Sequence, residues 1–288
     1  MRTYLDCIPC FLRQSLEASR MVTSSETLHE IVLKKVMRYL QVISSFNNPP
    51  PELSKEVHAI VRNMLNCKDP YREVKKKSNE MANELYPRLE QIVEEAKDPF
   101  LMATKLAIIG NVIDFGAMNR FDVKDMINKA ITENIDDNAY SRFKESIEKA
   151  QTILYLADNA GEIFFDKLLI KKFAEMGKRI VYAVKNNPII NDATIEDAKF
   201  AGIDKFAEVL PADEGQDKSA PGILLNYASS KFLNYFRNAD VVIAKGQGNY
   251  ESLSNSGREI FFLLVVKCPL VARDIRADIG NLILKVIE

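Results

Sequence analysis

The chain has 288 residues, of which 47% are hydrophobic and 27% are charged, and its formal net charge is -1. This is the composition of a globular protein, and it excludes an intrinsically disordered chain. Without an excess of basic residues the protein lacks the electrostatic field that holds a nucleic-acid backbone, so we expect no nucleic-acid partner.

We expect no secretory signal in the amino-terminal residues of this sequence. Residues 1–6 (MRTYLD) lack the apolar core of a secretory signal peptide. No apolar run reaches the ~18 residues that a membrane-spanning helix requires. We therefore expect a cytoplasmic protein that has no membrane partner. In that reducing compartment the four cysteines would remain thiols.

Residues 1–149 have the periodicity of helices and predict an all-helical amino-terminal domain. Apolar side chains recur at three- and four-residue steps in residues 28–40 and 57–65. A run of prolines at 49–51 separates these two helices, because proline cannot continue either one. Residues 100–118 are apolar nearly all round, which is typical of a helix buried on several sides.

Residues 150–288 have a different pattern and predict a Rossmann-like α/β domain. Short β-rich runs occur at residues 152–156, 179–184, 207–210, 240–244 and 261–266. The first three are followed by amphipathic helices at about 161–176, 193–201 and 222–237. Apolar strands separated by helices imply a mainly parallel sheet with helices on both faces. Right-handed crossovers place the carboxyl ends of such strands at one edge, where ligands bind.

Acidic and amide side chains follow the first two predicted strands. Asp158, Asn159 and Glu162 come after the first strand, and Asp192 lies in the segment after the second. Carboxylate and amide oxygens suit hard divalent cations such as Mg²⁺ or Mn²⁺. Helix capping is the alternative, because Asn159 and Glu162 have the spacing of a capping box and Asp192 could cap the next helix.

The fourth strand is followed by a glycine-containing segment, residues 245–251 (KGQGNYE). Gly246 and Gly248 would let backbone N–H groups approach an anion, and Lys245 would neutralise its charge. The segment is not a Walker loop, because no Gly-Lys-Ser/Thr follows. It is not a dinucleotide fingerprint either, since Glu251 stands where a third glycine belongs. A tight turn is the alternative interpretation.

Taken together, several segments resemble the damage-control phosphatase family. These metal-dependent phosphatases were long catalogued as a domain of unknown function and are related to the acidic-residue methyltransferase domain. The segments that carry the resemblance are residues 158–162 (DNAGE), 191–192 (ND), 245–249 (KGQGN) and 110–116 (GNVIDFG). Cys7-Ile8-Pro9-Cys10 matches the subfamily marked by a CxxC motif.

The resemblance implies that Asp158, Asn159 and Asp192 bind a divalent cation: Mn²⁺, Ni²⁺, Co²⁺ or Mg²⁺. It also implies substrates that are phosphate esters of small metabolites, such as sugar phosphates or damaged nucleotides, and a damage-control role. Our hypothesis is hydrolysis by a metal-activated water, with Asp158, Asp192 and Glu162 as catalytic residues. The predicted substrate-binding residues are Lys245, Gly246, Gly248 and Asn111. Asn111 and Asp114 could reach the site from the helical domain or could make an interdomain hydrogen bond only.

Three rival functions stay open. Phosphatases that form a covalent aspartyl-phosphate carry Asp-x-Asp after the first strand, whereas Ala160 stands two residues after Asp158 and favours direct attack by water. An S-adenosylmethionine-dependent carboxyl methyltransferase would use the same sheet, but no glycine-rich loop follows the first strand. A non-enzymatic nucleotide- or metabolite-binding protein would keep the glycine segment without needing Asp158 and Asp192.

The CxxC pair has three possible roles. Cys7 and Cys10 lie one helical turn apart and could hold a structural or regulatory metal, act in redox chemistry or pack a helix. A complete zinc site needs about four ligands. Further candidate ligands, which nothing in the sequence brings to the pair, are Cys67, His29 and His58. We expect Cys268, after a buried strand, to be an inert core thiol.

Overall fold

The structure, a computed structural model, describes residues 1–111, 125, 127–129, 131–215 and 217–288. Secondary-structure elements are numbered here in chain order over those residues. The predicted apolar helix begins at Pro99 and is described as far as its last residue, Gly110. The remainder of that prediction, including Asp114, lies outside the described residues.

Helices make up the regular structure described before residue 150. Their bounds are α1 (Cys7–Val22), α2 (Glu26–Gln41), α3 (Pro50–Met64), α4 (Arg72–Glu94), α5 (Pro99–Gly110) and α6 (Asp137–Lys149). Local sequence sets their first residues. The side chains of Ser25, Asp98 and Asp136 accept hydrogen bonds from the first turns of α2, α5 and α6. Prolines occupy the first positions of α3 and α5, where no backbone donor is needed.

Strands and helices alternate from Thr152 onward. The strands are β1 (Thr152–Leu156), β2 (Arg179–Val184), β3 (Glu208–Pro211), β4 (Val241–Lys245), β5 (Ile260–Val265) and β6 (Leu282–Ile287). The helices between them are α7 (Ile163–Glu175), α8 (Ile195–Phe200), α9 (Ser230–Asn238), α10 (Gly246–Leu253) and α11 (Pro269–Ile275).

The six strands form one sheet in the order β3-β2-β1-β4-β5-β6. The first five are parallel, and β6 runs antiparallel to β5. This confirms the predicted mainly parallel, Rossmann-like sheet, and it adds an antiparallel edge strand that we did not predict. Strand β1 lies between β2 and β4, so the segments that follow these three strands are neighbours at one edge of the sheet.

Both faces of the sheet are covered by helices, as the apolar strands predict. Alternate strand residues such as Ile153 and Tyr155 pack with helices α4 to α8 in one cluster of buried side chains. Leu154 and Leu156 point to the other face, where α9, α10 and α11 cover them. A third cluster holds α1, α2 and α3 together. None of the helices in the described residues is long and apolar enough to cross a membrane.

Two predicted elements differ from the structure. The helix predicted from residue 222 begins only at Ser230, because Ser229 Oγ accepts the N–H of Phe232 and so caps the helix there. The segment at residues 245–251, interpreted as a glycine-containing loop with a tight turn as the alternative, is instead mostly helix α10, which begins at Gly246 directly after β4. The predicted division into domains 1–149 and 150–288 stays a prediction.

Candidate active site

The segments that follow β1 and β2 are joined by backbone hydrogen bonds. The N–H of Ala193 donates to the carbonyl of Asp158 at 2.8 Å, and the N–H of Ala160 donates to the carbonyl of Asn191 at 2.9 Å. Asn159 faces Asp192 in an isolated antiparallel bridge. The structure thus brings together the three residues to which the family resemblance assigned a metal.

Helix capping does not explain this arrangement. Helix α7 begins at Ile163, so Glu162 is its cap residue and makes no side-chain cap bond, and of the capping box considered for Asn159 and Glu162 only a 3.4 Å contact from the Asn159 N–H to Glu162 Oε2 is present. The capping box of α8 belongs to Thr194 and Asp197, whose carboxylate accepts the Thr194 N–H at 2.8 Å. Asp192 therefore caps neither helix, and the interpretation of Asp192 as an N-cap is wrong.

The Asp158 carboxylate is held by two amide side chains. Its Oδ2 accepts hydrogen bonds from Asn111 Nδ2 at 2.7 Å and from Asn159 Nδ2 at 2.8 Å. Asn111 thereby reaches the site from the helical half, which is one of the two possibilities that the sequence left open, and its contact with a substrate stays a prediction. Burial, together with the charge of Glu162, raises the pKa of Asp158 to about 6.

Asp192 is a buried carboxylate with an unsatisfied oxygen. Its Oδ2 makes no hydrogen bond, although Lys185 Nζ lies 3.5 Å away, within ion-pair distance. Burial raises the pKa of Asp192 well above its usual range, and the attraction of Lys185 opposes that rise while the charge of Asp158 adds to it. Buried carboxylate oxygens in folded proteins nearly always have a donor, so this oxygen, whose one charged neighbour is the more distant Lys185, is available to a ligand.

Glu162 belongs to a fully buried ionic network. Lys245 Nζ, with no exposed surface, lies 2.7 Å from Glu162 Oε1 and 2.5 Å from Asp166 Oδ1. The hydroxyls of Tyr155 and Tyr182 each donate to Asp166 at 2.8 Å. Burial raises the pKa of Glu162, but the charge of Lys245 and its hydrogen bond outweigh that effect and lower it. Glu162 is therefore held as a carboxylate in a fixed position.

The other face of Glu162 is turned to the amides of the site. Asn111 Nδ2 lies 3.1 Å from its Oε2, and Asn159 Nδ2 donates to the same oxygen at 2.8 Å. Lys245, Glu162 and the two amides form a continuous chain from the interior to Asp158. The position of Asp158 is consequently fixed by the network beneath it.

The predicted substrate-binding residues Lys245, Gly246 and Gly248 have packing roles in the structure. Lys245 is enclosed by carboxylates, so its ammonium group is already engaged. Gly246 has φ +78° and lies so close to Asp158 that an added Cβ would be 1.9 Å from Oδ2. A Cβ on Gly248 would lie 1.9 Å from the carbonyl oxygen of Pro221. Substrate contact by the amides of these glycines stays a prediction.

The residues at the site fit a divalent cation by charge and by donor chemistry. Four carboxylates, from Asp158, Glu162, Asp166 and Asp192, lie in this cluster with the two ammonium groups of Lys185 and Lys245. These four carboxylates outnumber the two buried lysines beside them, and the exposed Lys267 also acts on Asp158 and Glu162. Within the described ranges no three His, Cys, Asp or Glu side chains converge as a metal-binding group. A cation here would therefore have two carboxylates and one amide as ligands and keep several waters, as Mg²⁺ does.

The cysteines form no such group either. Cys7 is buried at the start of α1, while Cys10, Cys67 and Cys268 are half-buried, and all four are free thiols. Burial raises the pKa of Cys7 to about 11 and also raises that of Cys10, which disfavours the reactive thiolate. Cys268 packs against the cluster that contains Cys7. The role of the CxxC pair stays a prediction.

Sequence reasoning missed four residues of this site. Tyr155 and Tyr182 face each other across β1 and β2, and Asp166 lies one turn after Glu162 in α7. Each of these three residues has a polar group at a position where its strand or helix is otherwise apolar, and this pattern could have indicated a buried polar network. Lys185, the fourth, stands directly after β2 and differs from the other lysines in being buried beside Asp192.

The fold and the site define an α/β protein that has a buried cluster of acids and amides at the carboxyl edge of a mainly parallel sheet. The chain matches the family model described as "Damage-control phosphatase ARMT1-like domain" over residues 3–283. It belongs to that family, as the resemblance of its motifs implied.

Individual relatives cover nearly the whole chain. A protein of Archaeoglobus fulgidus named damage-control phosphatase is 35% identical over 287 residues, 98% of each chain. A damage-control phosphatase of Pyrococcus horikoshii is 35% identical over 286 residues, 98% of this chain and 97% of that one. The crystal structure of a DUF89 family protein from Pyrococcus horikoshii matches 100% of both chains with a TM-score of 0.90 at 34% identity.

Proposed function

We propose that this protein is a metal-dependent phosphatase that hydrolyses phosphomonoesters of small metabolites, such as sugar phosphates or damaged nucleotides. The observation that carries the proposal is the buried, unbonded Oδ2 of Asp192, which the joined segments after β1 and β2 hold beside Asp158. Membership of a family whose relatives are named damage-control phosphatases supports the chemistry and the role in metabolite damage control.

Asp158, Asn159 and Asp192 are the residues that would hold the cation. The Nδ2 of Asn159 is engaged by two carboxylates, which leaves its amide oxygen as a ligand. A divalent cation at this position would polarise a phosphoryl oxygen and lower the pKa of a water molecule. Mn²⁺, Ni²⁺, Co²⁺ and Mg²⁺ are the candidates.

The protein's own groups prepare the site for this reaction. Asn111 and Asn159 hold the Asp158 carboxylate in one orientation through its Oδ2. Glu162 stays ionised because Lys245 is bonded to it, and it can therefore accept a hydrogen bond from an attacking water. Asp166 and its two tyrosines fix Lys245 in turn. These groups need no rearrangement during the reaction, which is the main contribution of a preorganised site.

A screen of phosphomonoesters on chelator-treated protein tests the function. Each divalent cation is added back in turn, and Asp158→Asn and Asp192→Asn are compared with Asp204→Asn, which removes a carboxylate from an exposed position. A cation supplies several kcal/mol of transition-state stabilisation, so we expect each site variant to lose about 100-fold or more in rate. Asp204→Asn should keep the activity of the parent protein.

Two results would contradict the proposal. Turnover retained in both site variants would show that the cation is held elsewhere. Absence of hydrolysis with every cation and ester, together with tight ligand binding, would favour the non-enzymatic binding protein. Attack by water also predicts that no phosphoenzyme accumulates during turnover, whereas a phosphoryl group trapped on Asp158 would show the covalent mechanism.

A further inference from the structure

Two buried lysines lie on either side of the end of β1, the strand that precedes Asp158. Lys185 follows β2, and Lys245 ends β4, and these are the two strands that pair with β1. Their side chains are 3% and 0% exposed, so neither ammonium group is hydrated by bulk solvent. The two residues therefore face the same requirement: each buried ammonium group must have acceptors within the protein or from a ligand.

Only Lys245 meets that requirement within the protein. Its Nζ donates to Glu162 and to Asp166, at 2.7 and 2.5 Å. Among the described residues Lys185 Nζ has no hydrogen-bond partner, and its ion pair is with Asp192 Oδ2, 3.5 Å away, which has no donor there either. Its backbone N–H is already used by the carbonyl of Ala193. The unsatisfied group is thus the side chain alone.

The other charged groups that act on Lys185 and Asp192 have hydrogen-bond or ion-pair partners of their own. Asp213, whose charge acts on Lys185 from the segment after β3, accepts a hydrogen bond from Ser219 Oγ at 2.7 Å. Lys75 of α4 lies 3.1 Å from Asp69 and 3.6 Å from Asp197. Lys185 differs from these groups because it stands next to the proposed cation ligands with its donors unused.

We infer that Lys185 is a substrate-binding residue whose ammonium group donates hydrogen bonds to the phosphoryl oxygens of the bound ester. This inference rests on the proposed function and names the residue that recognises the phosphate. The ligand class is a tetrahedral oxyanion, either the phosphate group of the ester or inorganic phosphate. Lys185 takes the substrate-binding role that the sequence had suggested for Lys245, because the ammonium group of Lys245 already donates to Glu162 and Asp166.

Lys185 should influence anions and cations in opposite directions. Its charge attracts a phosphate group, so removing it weakens phosphate binding. The same charge lies 3.5 Å from Asp192 and repels a cation at that carboxylate, so its removal should leave cation binding as tight or tighter. A lysine that only neutralised Asp192 would affect the cation and leave phosphate affinity unchanged.

The test compares Lys185→Met with Lys199→Met, which makes the same substitution at an exposed position of α8. Binding of inorganic phosphate is measured by titration calorimetry on the full-length protein, with and without Mg²⁺. A hydrogen bond to a charged group is worth about 1.5–3 kcal/mol, so we expect phosphate binding by Lys185→Met to be about 10- to 100-fold weaker. Lys199→Met should bind phosphate like the parent protein.

Affinity for Mn²⁺, measured by electron paramagnetic resonance of the free ion, shows whether the site of Lys185→Met is intact. Equal phosphate affinity in the two variants would overturn the inference, and so would a parent protein that binds no phosphate. A crystal of the parent protein grown with Mg²⁺ and tungstate gives an answer that does not depend on the variant folding. Tungstate oxygens within hydrogen-bond distance of Lys185 Nζ support the inference, and an anion bound out of its reach refutes it.

The inference and the proposed function can fail separately. Phosphate binding that depends on Lys185 in a protein that hydrolyses no ester would retain the anion site and reject the phosphatase. Hydrolysis that is lost in Asp158→Asn, with phosphate affinity unaffected by Lys185→Met, would retain the phosphatase and reject the role of Lys185.

Discussion

Gly246 is the position at which the fold constrains the proposed cation site most tightly. It begins α10 with φ +78°, and a Cβ there would lie 1.9 Å from Asp158 Oδ2. Gly246→Ala therefore combines two costs: the left-handed backbone conformation and a contact that forces the carboxylate to move. Gly177→Ala isolates the first cost, because Gly177 has φ +71° and nothing within 4 Å of the added Cβ.

The two costs can be estimated separately. A left-handed conformation costs an alanine about 1–2 kcal/mol relative to glycine, and both variants incur it. Displacing Asp158 disrupts its hydrogen bonds from Asn111 and Asn159, at 2.7 and 2.8 Å. Each such bond to a charged group is worth about 1.5–3 kcal/mol. We expect Gly246→Ala to lose about 3 kcal/mol more unfolding free energy than Gly177→Ala.

Urea unfolding of the two variants measures this difference, and Mn²⁺ binding measures its functional consequence. Misplacing a catalytic group by about 1 Å can reduce a rate about 100-fold, so Gly246→Ala should also lose most of its cation affinity and phosphatase activity. Gly177→Ala should keep both. Equal destabilisation of the two variants, with equal Mn²⁺ affinity, would refute the close packing of Gly246 against Asp158.

Three further predictions concern the buried charges and the rival chemistry. Lys245→Met leaves Glu162 and Asp166 buried without the ammonium group that neutralises them. Urea unfolding should show a loss of about 3–5 kcal/mol in the free energy of unfolding, against about 0.5 kcal/mol or less for Lys199→Met at an exposed position. Similar losses in both variants would contradict the buried network. Burial and then the charge of Arg62 lower the pKa of His58 to about 3, below the ~6.5 of the unfolded chain. The neutral imidazole therefore contributes stability above pH ~6.5, and this contribution is lost as the pH falls below it. Between pH 7.5 and 5.5 this group lowers the free energy of unfolding by about 1.4 kcal/mol. His58→Phe keeps an aromatic ring against Tyr71, and its free energy of unfolding should fall by that much less than that of the parent protein over the same range. The same pH dependence in both proteins would contradict a buried neutral imidazole. Calorimetry with S-adenosylmethionine should show no binding, and a saturable signal would revive the methyltransferase alternative.

The sheet could be predicted because its strands are apolar on both sides and are separated by helices. That pattern yielded the parallel core from β1 to β5 within a few residues. Strand β6 escaped prediction because its residues alternate between buried and half-buried, as on an edge, and it pairs with β5 alone. The start of α9 was misplaced because local sequence does not reveal that Gly222 packs against the carbonyl group of Gly248, a contact between separate segments.

The site was predictable to the extent that it depends on topology. Strands that follow each other in the chain are usually neighbours in the sheet, so the meeting of Asp158 with Asp192 could be expected from their positions after β1 and β2. The partners of each lysine could not, because they depend on where side chains from separate elements point. Lys245 meets Glu162, which precedes α7, and Asp166 within it, whereas Lys185 forms an ion pair with Asp192. No spacing rule distinguishes these two lysines, so the sequence interpretation assigned substrate binding to Lys245 and no role to Lys185.

The two lysines show how one sheet edge can serve both stability and ligand binding. Glu162 and Asp166 lie beneath the site, and Lys245 is bonded to both, so its charge fixes Glu162 and is unavailable to a substrate. Asp192 lies on the segment after β2, where its oxygen and the ammonium group of Lys185 both lack hydrogen-bond partners. A cation attracted to Asp192 weakens the pull of that carboxylate on Lys185, and an anion attracted to Lys185 weakens the repulsion between the lysine and the cation. Cation and phosphate should therefore each strengthen the binding of the other by the same factor, as linkage requires.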